Sequence, residues 1–488
     1  MPFQAVVLWT DWLVYLLVLV IVATTAYVSS QEHLRAPWRR VAQSASGMTG
    51  LVVLLVFVAA GLLDSVHFRP RLAMSDPHAK AAYAVEVLSG LDLVLEPLRT
   101  RREKTYSAPL ATHLYAREMI ELPSGGQARE FPRFKYGGAR LQDPERDWAG
   151  DVARRALGGA AGGAVVWLLL GLLAVMAAAR ASGMRLSLMW KRVWSGGTEV
   201  PWRAILSTLL VFCALGGATL ALAAQYHVLG TDKVGQDVLY QVLKSIRTAL
   251  VIGTLTTLVM LPFAIALGIA AGYFGGWVDD AIQYAYTTLN SIPGVLLIAA
   301  AVLMMQVYID GHPELFPTAA QRADLRLLFL CIILGVTSWT GLCRLLRGEA
   351  LKLKELEYIQ AAHAFGVRHH RIITRHILPN VMYIVLITVV MEFSGLVLAE
   401  AVLSYVGVGV DPSMNSFGTM INNARLEMAR EPMVWWSLAA AFVFMVTLVL
   451  AANLFADSVR DAFDPRVRMI NPLTAKKRRR EGVASHET

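Results

Sequence analysis

Long apolar runs alternate with polar stretches along this chain, and many of the runs are long enough to cross a bilayer. A spanning helix needs about 20 apolar residues. Nine stretches qualify, at 8–28, 48–66, 157–179, 204–226, 245–271, 284–307, 326–343, 380–403 and 433–456. Two polar segments between them stand out. Residues 67–156 are of mixed charge, with Gly-Gly at 125–126 and 137–138 and one apolar cluster at Val87, Leu88, Leu91, Leu93 and Leu95. That pattern predicts a small, partly ordered external domain, against the alternative of a disordered loop. The second segment, Leu351 to Pro379, predicts a short helix, a turn and another short helix at the membrane surface. Leu351, Leu353, Leu356, Ile359 and Ala362 interleave with polar residues as on an amphipathic helix. Gly366 stops that helix, and Pro379 stands where the chain re-enters an apolar run. Such an elbow can lie on lipid or fill a groove in a soluble partner.

Composition agrees with the pattern. Of 488 residues, 56% are hydrophobic and 17% charged, where soluble proteins carry about 25% charged residues. Mean hydropathy is +0.50. The chain reads as an integral membrane protein. Its net charge of +9 does not point to nucleic acid, because the cations flank apolar runs. Arg35, Arg39 and Arg40 follow the first span. Arg180, Arg185, Lys191, Arg192 and Arg203 follow the third. Arg344, Arg347, Lys352, Lys354, Arg368, Arg371 and Arg375 follow the seventh, and Lys476 to Arg480 end the tail. If all nine runs cross, these four regions share one side, which is the cytoplasm. The N-terminus then faces outward. The first run lacks a basic leading segment and reads as a retained span. Cys213, Cys331 and Cys343 lie in or beside apolar runs, with no disulfide or zinc spacing.

Several polar positions are candidates for function. In the outer turn His227 to Asp237, Gly230 and Gly235 bracket a polar stretch whose Asp232 and Asp237 can cap backbone amides. In Gly272 to Asp279, the Gly-Gly pair suits a chain reversal. Pro293 breaks the sixth span just after Asn290 and Ser291, either lining a translocation path or kinking the helix for packing; Thr337 to Thr340 are a similar case. Glu392 and Glu400, eight residues apart in the eighth span, either line a polar path or serve as buried hydrogen-bonding groups. His363, His369, His370 and His376 lack the spacing and supporting ligands of a metal site.

On these residues the chain resembles the permease subunits of ATP-driven, binding-protein-dependent importers, in the branch that carries oligopeptides and dipeptides. The superfamily pattern is Glu-Ala-Ala, three residues, Gly, nine residues, Ile, one residue, Leu-Pro. Here Gln360, Ala361, Ala362, Gly366, His376, Leu378 and Pro379 keep the spacing, with Gln360 in place of glutamate and His376 at the isoleucine position. HVLGTDKVGQD, GYFGGWVDD, HAFGVRHHRIITRHILPN and LAEAVLSYVGVGVDP are similar to the peptide branch, although Gln236 stands where arginine is usual. The resemblance covers His227 to Phe463.

It implies an all-α membrane protein: an ABC importer permease six-helix core, completed by the fourth span, with three additional N-terminal transmembrane helices. The implied divisions are 1–66 (two spans), 67–156 (extracytoplasmic insert), 157–203 (third span and basic cytoplasmic linker), 204–463 (permease core with the coupling segment 344–379) and 464–488 (basic tail). The implied location is the cell inner membrane. The implied partners are a second permease subunit, two ATPase subunits, an extracytoplasmic substrate-binding protein and the lipid bilayer. The elbow, including Arg368, His369 and Arg371, would sit in an ATPase cleft. The chain has no GxxxxGK[ST] phosphate loop, so it cannot hydrolyse ATP by that route itself; the resemblance implies no cofactor on this chain, with ATP and Mg on the partner subunits. Two other classes remain: a secondary transporter or channel using Glu392 and Glu400, and a membrane scaffold or sensor built on 67–156.

Overall fold

The computed structural model describes residues 3–71, 83–121, 127–312, 314 and 318–463. The expected basic tail, and Gly125 and Gly126 of the outer region, lie outside the described residues. In chain order the N-terminal part holds β1 (Phe3–Val6), α1 (Trp9–Ser30), α2 (Glu32–Gln43), α3 (Ala45–Asp64), β2 (His67–Pro70), β3 (Leu88–Ser89), α4 (Gly90–Val94), α5 (Glu96–Thr100), β4 (Glu118–Glu121) and β5 (Gln127–Glu130). Then come α6 (Pro144–Ser182), α7 (Leu186–Ser195), α8 (Trp202–Ala223), α9 (Val238–Phe274), α10 (Gly276–Ser291), α11 (Gly294–Gly311) and α12 (Ala319–Ser338). The chain continues through α13 (Thr340–Lys354), α14 (Glu357–Ala364), α15 (His369–Ile372), α16 (Leu378–Val406), α17 (Phe417–Glu427) and α18 (Trp436–Phe463). A π-helical turn, Ile373–Ile377, joins α15 to α16.

Among the described residues nine helical segments are long and apolar enough to cross a membrane, and each overlaps one expected span. The main difference is at Pro293. The expected sixth span, 284–307, is broken there as its proline suggests, but the break is complete: the chain extends at Ile292 and Pro293 caps a new helix, so α10 is separate and α11 is the span. Proline cannot donate the amide that continuity would require. Several spans also outrun their charge-free windows. The 37 residues of α9 measure about 55 Å at 1.5 Å per residue, against a core of about 30 Å.

The core forms around α9, which packs against α12, α13, α16, α3 and α10, while α18 packs against α3, α16 and α17. Its buried side chains include Val242, Ile252, Leu255, Leu346, Phe417 and Trp436. The helix seated from the N-terminal part is α3. A Cβ at Gly50 would lie 2.6 Å from the Ala451 carbonyl oxygen of α18, and one at Gly61 2.6 Å from Leu250 of α9. The fourth span, α8, packs on α6 and α3. Hydropathy marks both helices as spans, and both make close glycine contacts: α3 with α18 and α9, and α8 with α6 through Gly217 and Gly159.

On the outer side, β1 pairs antiparallel with β2 (Val6 opposite His67) and β2 with β3, and β4 pairs with β5 as a hairpin. Leu91, Leu95 and Leu98 bury against Leu239 and Tyr240 of α9, whereas Leu93 stays exposed. These short strands are confined to the extramembrane part of an otherwise helical chain.

Candidate functional site

The inner elbow is built from α14, Gly366, α15 and the π-turn. At the end of α14 the amide of Gly366 bonds the His363 carbonyl at 3.0 Å, and that of Val367 bonds the Ala362 carbonyl at 3.1 Å. This pair of bonds is the Schellman stop, which needs a left-handed residue; Gly366 supplies it with φ +73°. The elbow is pinned from one side. Ile359, Ile372 and Ile377 are fully buried against Tyr273, Leu346 and Ala350 of α9 and α13. Tyr273 Oη lies 2.9 Å from His369 Nδ1. Asn380 donates to Tyr358 Oη (3.3 Å) and to the His376 carbonyl (2.6 Å).

The other side is open. Gln360, Ala361, His363, Gly366, Arg368, His369, Arg371 and Pro379 are exposed, with Ala362 and His376 partly so. Phe365 is 87% exposed. Gln360 donates to the Glu355 carbonyl and carboxylate at 3.3 Å each. The rings of His363 and His369 approach to 5.4 Å, yet among the described residues no group of three or more His, Cys, Asp or Glu is placed to hold a metal ion.

A second tie reaches the elbow's base. Arg347 of α13 grips Asp279 of α10 in a bidentate pair, at 2.5 and 2.7 Å. The Arg347 hydrogen bonds hold the Asp279 carboxyl below its ordinary range against the opposing effect of burial. Further along α10, Thr340 donates to Asn290 at 3.2 Å. Asn290, Ser291 and Pro293 are all exposed on this chain. Glu392 is half-buried in α16 and has no hydrogen-bonding partner among the described residues. Glu400 is 1% exposed and accepts from Ser404 (2.6 Å) and from Ser416, the N-cap of α17 (3.0 Å). The two glutamates on one helix therefore sit in different surroundings.

The outer turn is a knot. Asp232 accepts from the amides of Val234 and Gln236, and Asp237 caps α9 through Leu239 and Tyr240. Gly230 and Gly235 both have φ +72°, and each lies against backbone of the outer region: a Cβ on either would collide with the carbonyl of Ser107 or of Glu103. Three further residues, which the sequence pattern did not single out, complete the knot. His227 Nδ1 lies 2.8 Å from Asp237, and its Nε2 lies 3.7 Å from Glu103, beyond hydrogen-bond range but close enough for charge attraction. Burial alone would lower the His227 pKa; the two carboxylates outweigh it and raise it to about 9. Glu103 also accepts from the amides of Lys135, Tyr136 and Gly137. These bonds, with His227, overcome burial and hold its carboxyl below the usual range. Trp436 donates to the Thr231 carbonyl at 2.9 Å.

The polar knot at the start of α9 and the half-exposed elbow beyond its far end are joined through α9 and the helices packed on it. Comparison with known proteins shows the family. Residues 264–469 match the family model described as "Binding-protein-dependent transport system inner membrane component". The oligopeptide transport system permease protein OppC of Mycobacterium tuberculosis (strain ATCC 25618 / H37Rv) is 32% identical over 244 residues, 50% of this chain and 77% of that protein. The glutathione transport system permease protein GsiD of Pectobacterium atrosepticum is 32% identical over 50% of this chain and 73% of its own length. The dipeptide transport system permease protein DppC of Bacillus subtilis is 28% identical over 50% and 69%. A solved structure of the MetNI methionine ABC transporter in inward-facing conformations aligns with a TM-score of 0.32 at 16% identity, over 46% of this chain and 96% of that one. The chain belongs to the family of binding-protein-dependent transport system inner membrane components. It is a multi-pass permease subunit of the inner membrane.

Proposed function

We propose that this chain forms half of the translocation path of an ATP-driven importer for peptides or related small solutes, and that Gln360 to Pro379 couples that path to an ATPase subunit. A second permease subunit would complete the path. Two ATPase subunits would hold ATP and Mg, and an extracytoplasmic binding protein would deliver cargo. The observation that carries the reading is the two-sided elbow. Ile359, Ile372 and Ile377 anchor it to α9 and α13, while Phe365, 87% exposed, stands out among Gln360, His363 and Arg368. A large aromatic presented on a rigid polar knuckle suits a pocket in a partner, and the buried isoleucines would pass its displacement to the spans. Peptide cargo is supported by the relatives' names.

Within the path, Asn290, Ser291, Pro293 and Glu392 are the candidates this chain offers, because the first three are exposed and Glu392 is partly so without a hydrogen-bonding partner among the described residues. Glu400 is better read as a lock between α16 and α17. Residues 67–156 would face outward as an insert, the basic linker within 157–203 inward, and 204–463 would carry the permease core, with α3 packed into it.

The test is Gly366→Leu, measured as ATP-dependent uptake in the assembled transporter. The left-handed conformation costs a side chain about 1–2 kcal/mol, and nothing lies within 4 Å of the added Cβ inside this chain, so folding should survive while docking fails. Unchanged uptake with unchanged assembly would remove the docking role.

A further inference from the structure

Arg247 of α9 and Asp324 of α12 face each other across the outer ends of two core helices, both almost fully buried. Their closest approach is 3.7 Å, too long for a hydrogen bond. The gap is bridged from outside the core by the first turn of α1. The Thr10 amide donates to Asp324 Oδ2 at 3.1 Å, and the Thr10 hydroxyl donates to Asp324 Oδ1. The same hydroxyl accepts from Arg247 Nη2 at 2.8 Å. One hydroxyl has one proton to give and lone pairs to receive, so Thr10 suits a gap between an acceptor and a donor. Arg247 Nη2 spends its other proton on Asp11 at 2.7 Å. Asp11 is held in turn by His67 Nδ1 at 2.8 Å and the Leu8 amide at 3.2 Å.

The rest of α1 makes fewer polar ties, among them the Tyr15 hydroxyl donating to the Ser65 carbonyl at 2.7 Å. Leu13 and Val14 pack against the core, but Trp12, Leu16, Leu19, Ile21, Val22 and Tyr27 are exposed on this chain. Thr10 and Asp11, by contrast, are fully buried. The polar turn is therefore the part of α1 committed to the core. Arg247 and Asp324 also line a cavity of about 210 Å³ together with Lys244, Asn415 and Leu8, the residue that precedes α1.

We propose that Thr10 and Asp11 are positioning residues for transport: the first turn of α1 is an outer latch that holds α9 to α12 and biases the subunit toward its latched arrangement until cargo arrives. This rests on the permease reading above. Separating α9 from α12 must break the Thr10 bridge, and a hydrogen-bonded bridge between buried charges has two discrete states, which is what coupling requires.

The test uses the full chain in its assembled transporter, reconstituted in proteoliposomes, with Thr10→Val to remove the hydroxyl at nearly constant shape and Thr10→Ser to keep it. Two readouts are taken: ATP hydrolysis with and without cargo-loaded binding protein, and amide hydrogen exchange along 241–250 and 320–327. Thr10→Val should raise unstimulated hydrolysis about fivefold or more, the lower range of ordinary allosteric coupling, and speed exchange in both segments; Thr10→Ser should restore both. Unchanged exchange in Thr10→Val overturns the latch. Faster exchange with an unchanged stimulation ratio, or rates that fall together with the amount of assembled complex, overturns the positioning role and leaves a structural contact. An unmodified complex that shows no cargo stimulation refutes the permease reading itself, which separates that failure from failure of the latch.

Discussion

His227 ties the outer region to the permease core, and titrating it should loosen that tie. Its side chain is 4% exposed and lies between Asp237 of the outer turn and Glu103 of the outer region. Folding raises its pKa from the ordinary 6.5 to about 9. That rise corresponds to about 3 kcal/mol, at about 1.4 kcal/mol per unit. Because the folded value is the higher one, the stabilisation is complete below about pH 6.5, declines as the pH climbs, and is gone above about pH 9. Glu103 acts in the opposite direction: its carboxyl is held low in the folded state, so its contribution is present above the ordinary carboxylate range and lost on acidification. The detergent-solubilised chain should therefore be most stable near about pH 5–6.5 and lose about 3 kcal/mol of resistance to unfolding between about pH 6.5 and 10. His227→Gln should be less stable at neutral pH and should lose less stability than the unmodified chain between about pH 6.5 and 9. The assay is thermal or chemical unfolding of both forms across the pH range. Identical alkaline slopes for the unmodified chain and His227→Gln would refute the assignment.

Other substitutions separate roles that share an element. Glu400→Leu removes the acceptor from two buried hydroxyls, those of Ser404 and Ser416, at about 1–3 kcal/mol each, so the amount of folded protein should fall; Glu400→Gln should recover much of it. Glu392→Leu breaks no hydrogen bond among the described residues, and folded yield should hold while uptake changes; normal uptake would take Glu392 off the path. Gly235→Ala must accommodate both φ +72° and a collision with the Glu103 carbonyl, so limited proteolysis should cut residues 101–121 faster than in the unmodified chain.

The spans were legible because a bilayer imposes a length and an apolar surface that one sequence window can register. The elbow was legible for a related reason: Gly366 and the amphipathic α14 are local signals. What escaped the pattern depends on distance along the chain. Thr10 meets Asp324 across 314 positions and Arg247 across 237, and no periodicity links them. Nothing local sets Asp11 apart within the first span or Arg247 within the fifth. That α3 packs on both α9 and α18 was hidden because hydropathy cannot tell a surface that packs from one that faces lipid. Glu392 and Glu400 looked equivalent eight residues apart; the Ser416 cap of α17, brought back onto α16 by the loop between them, distinguishes them.

The central claim is that the Phe365 knuckle faces the cytoplasm and is covered by an ATPase subunit. It is tested most directly by Phe365→Cys with Cys213, the one cysteine not fully buried, replaced, and a membrane-impermeant thiol reagent applied to each side of the membrane. Labelling in inverted vesicles stripped of ATPase subunits, protection when those subunits are restored, and none from the outer face are the predicted results. Labelling from the outer face of intact right-side-out vesicles would contradict the claim.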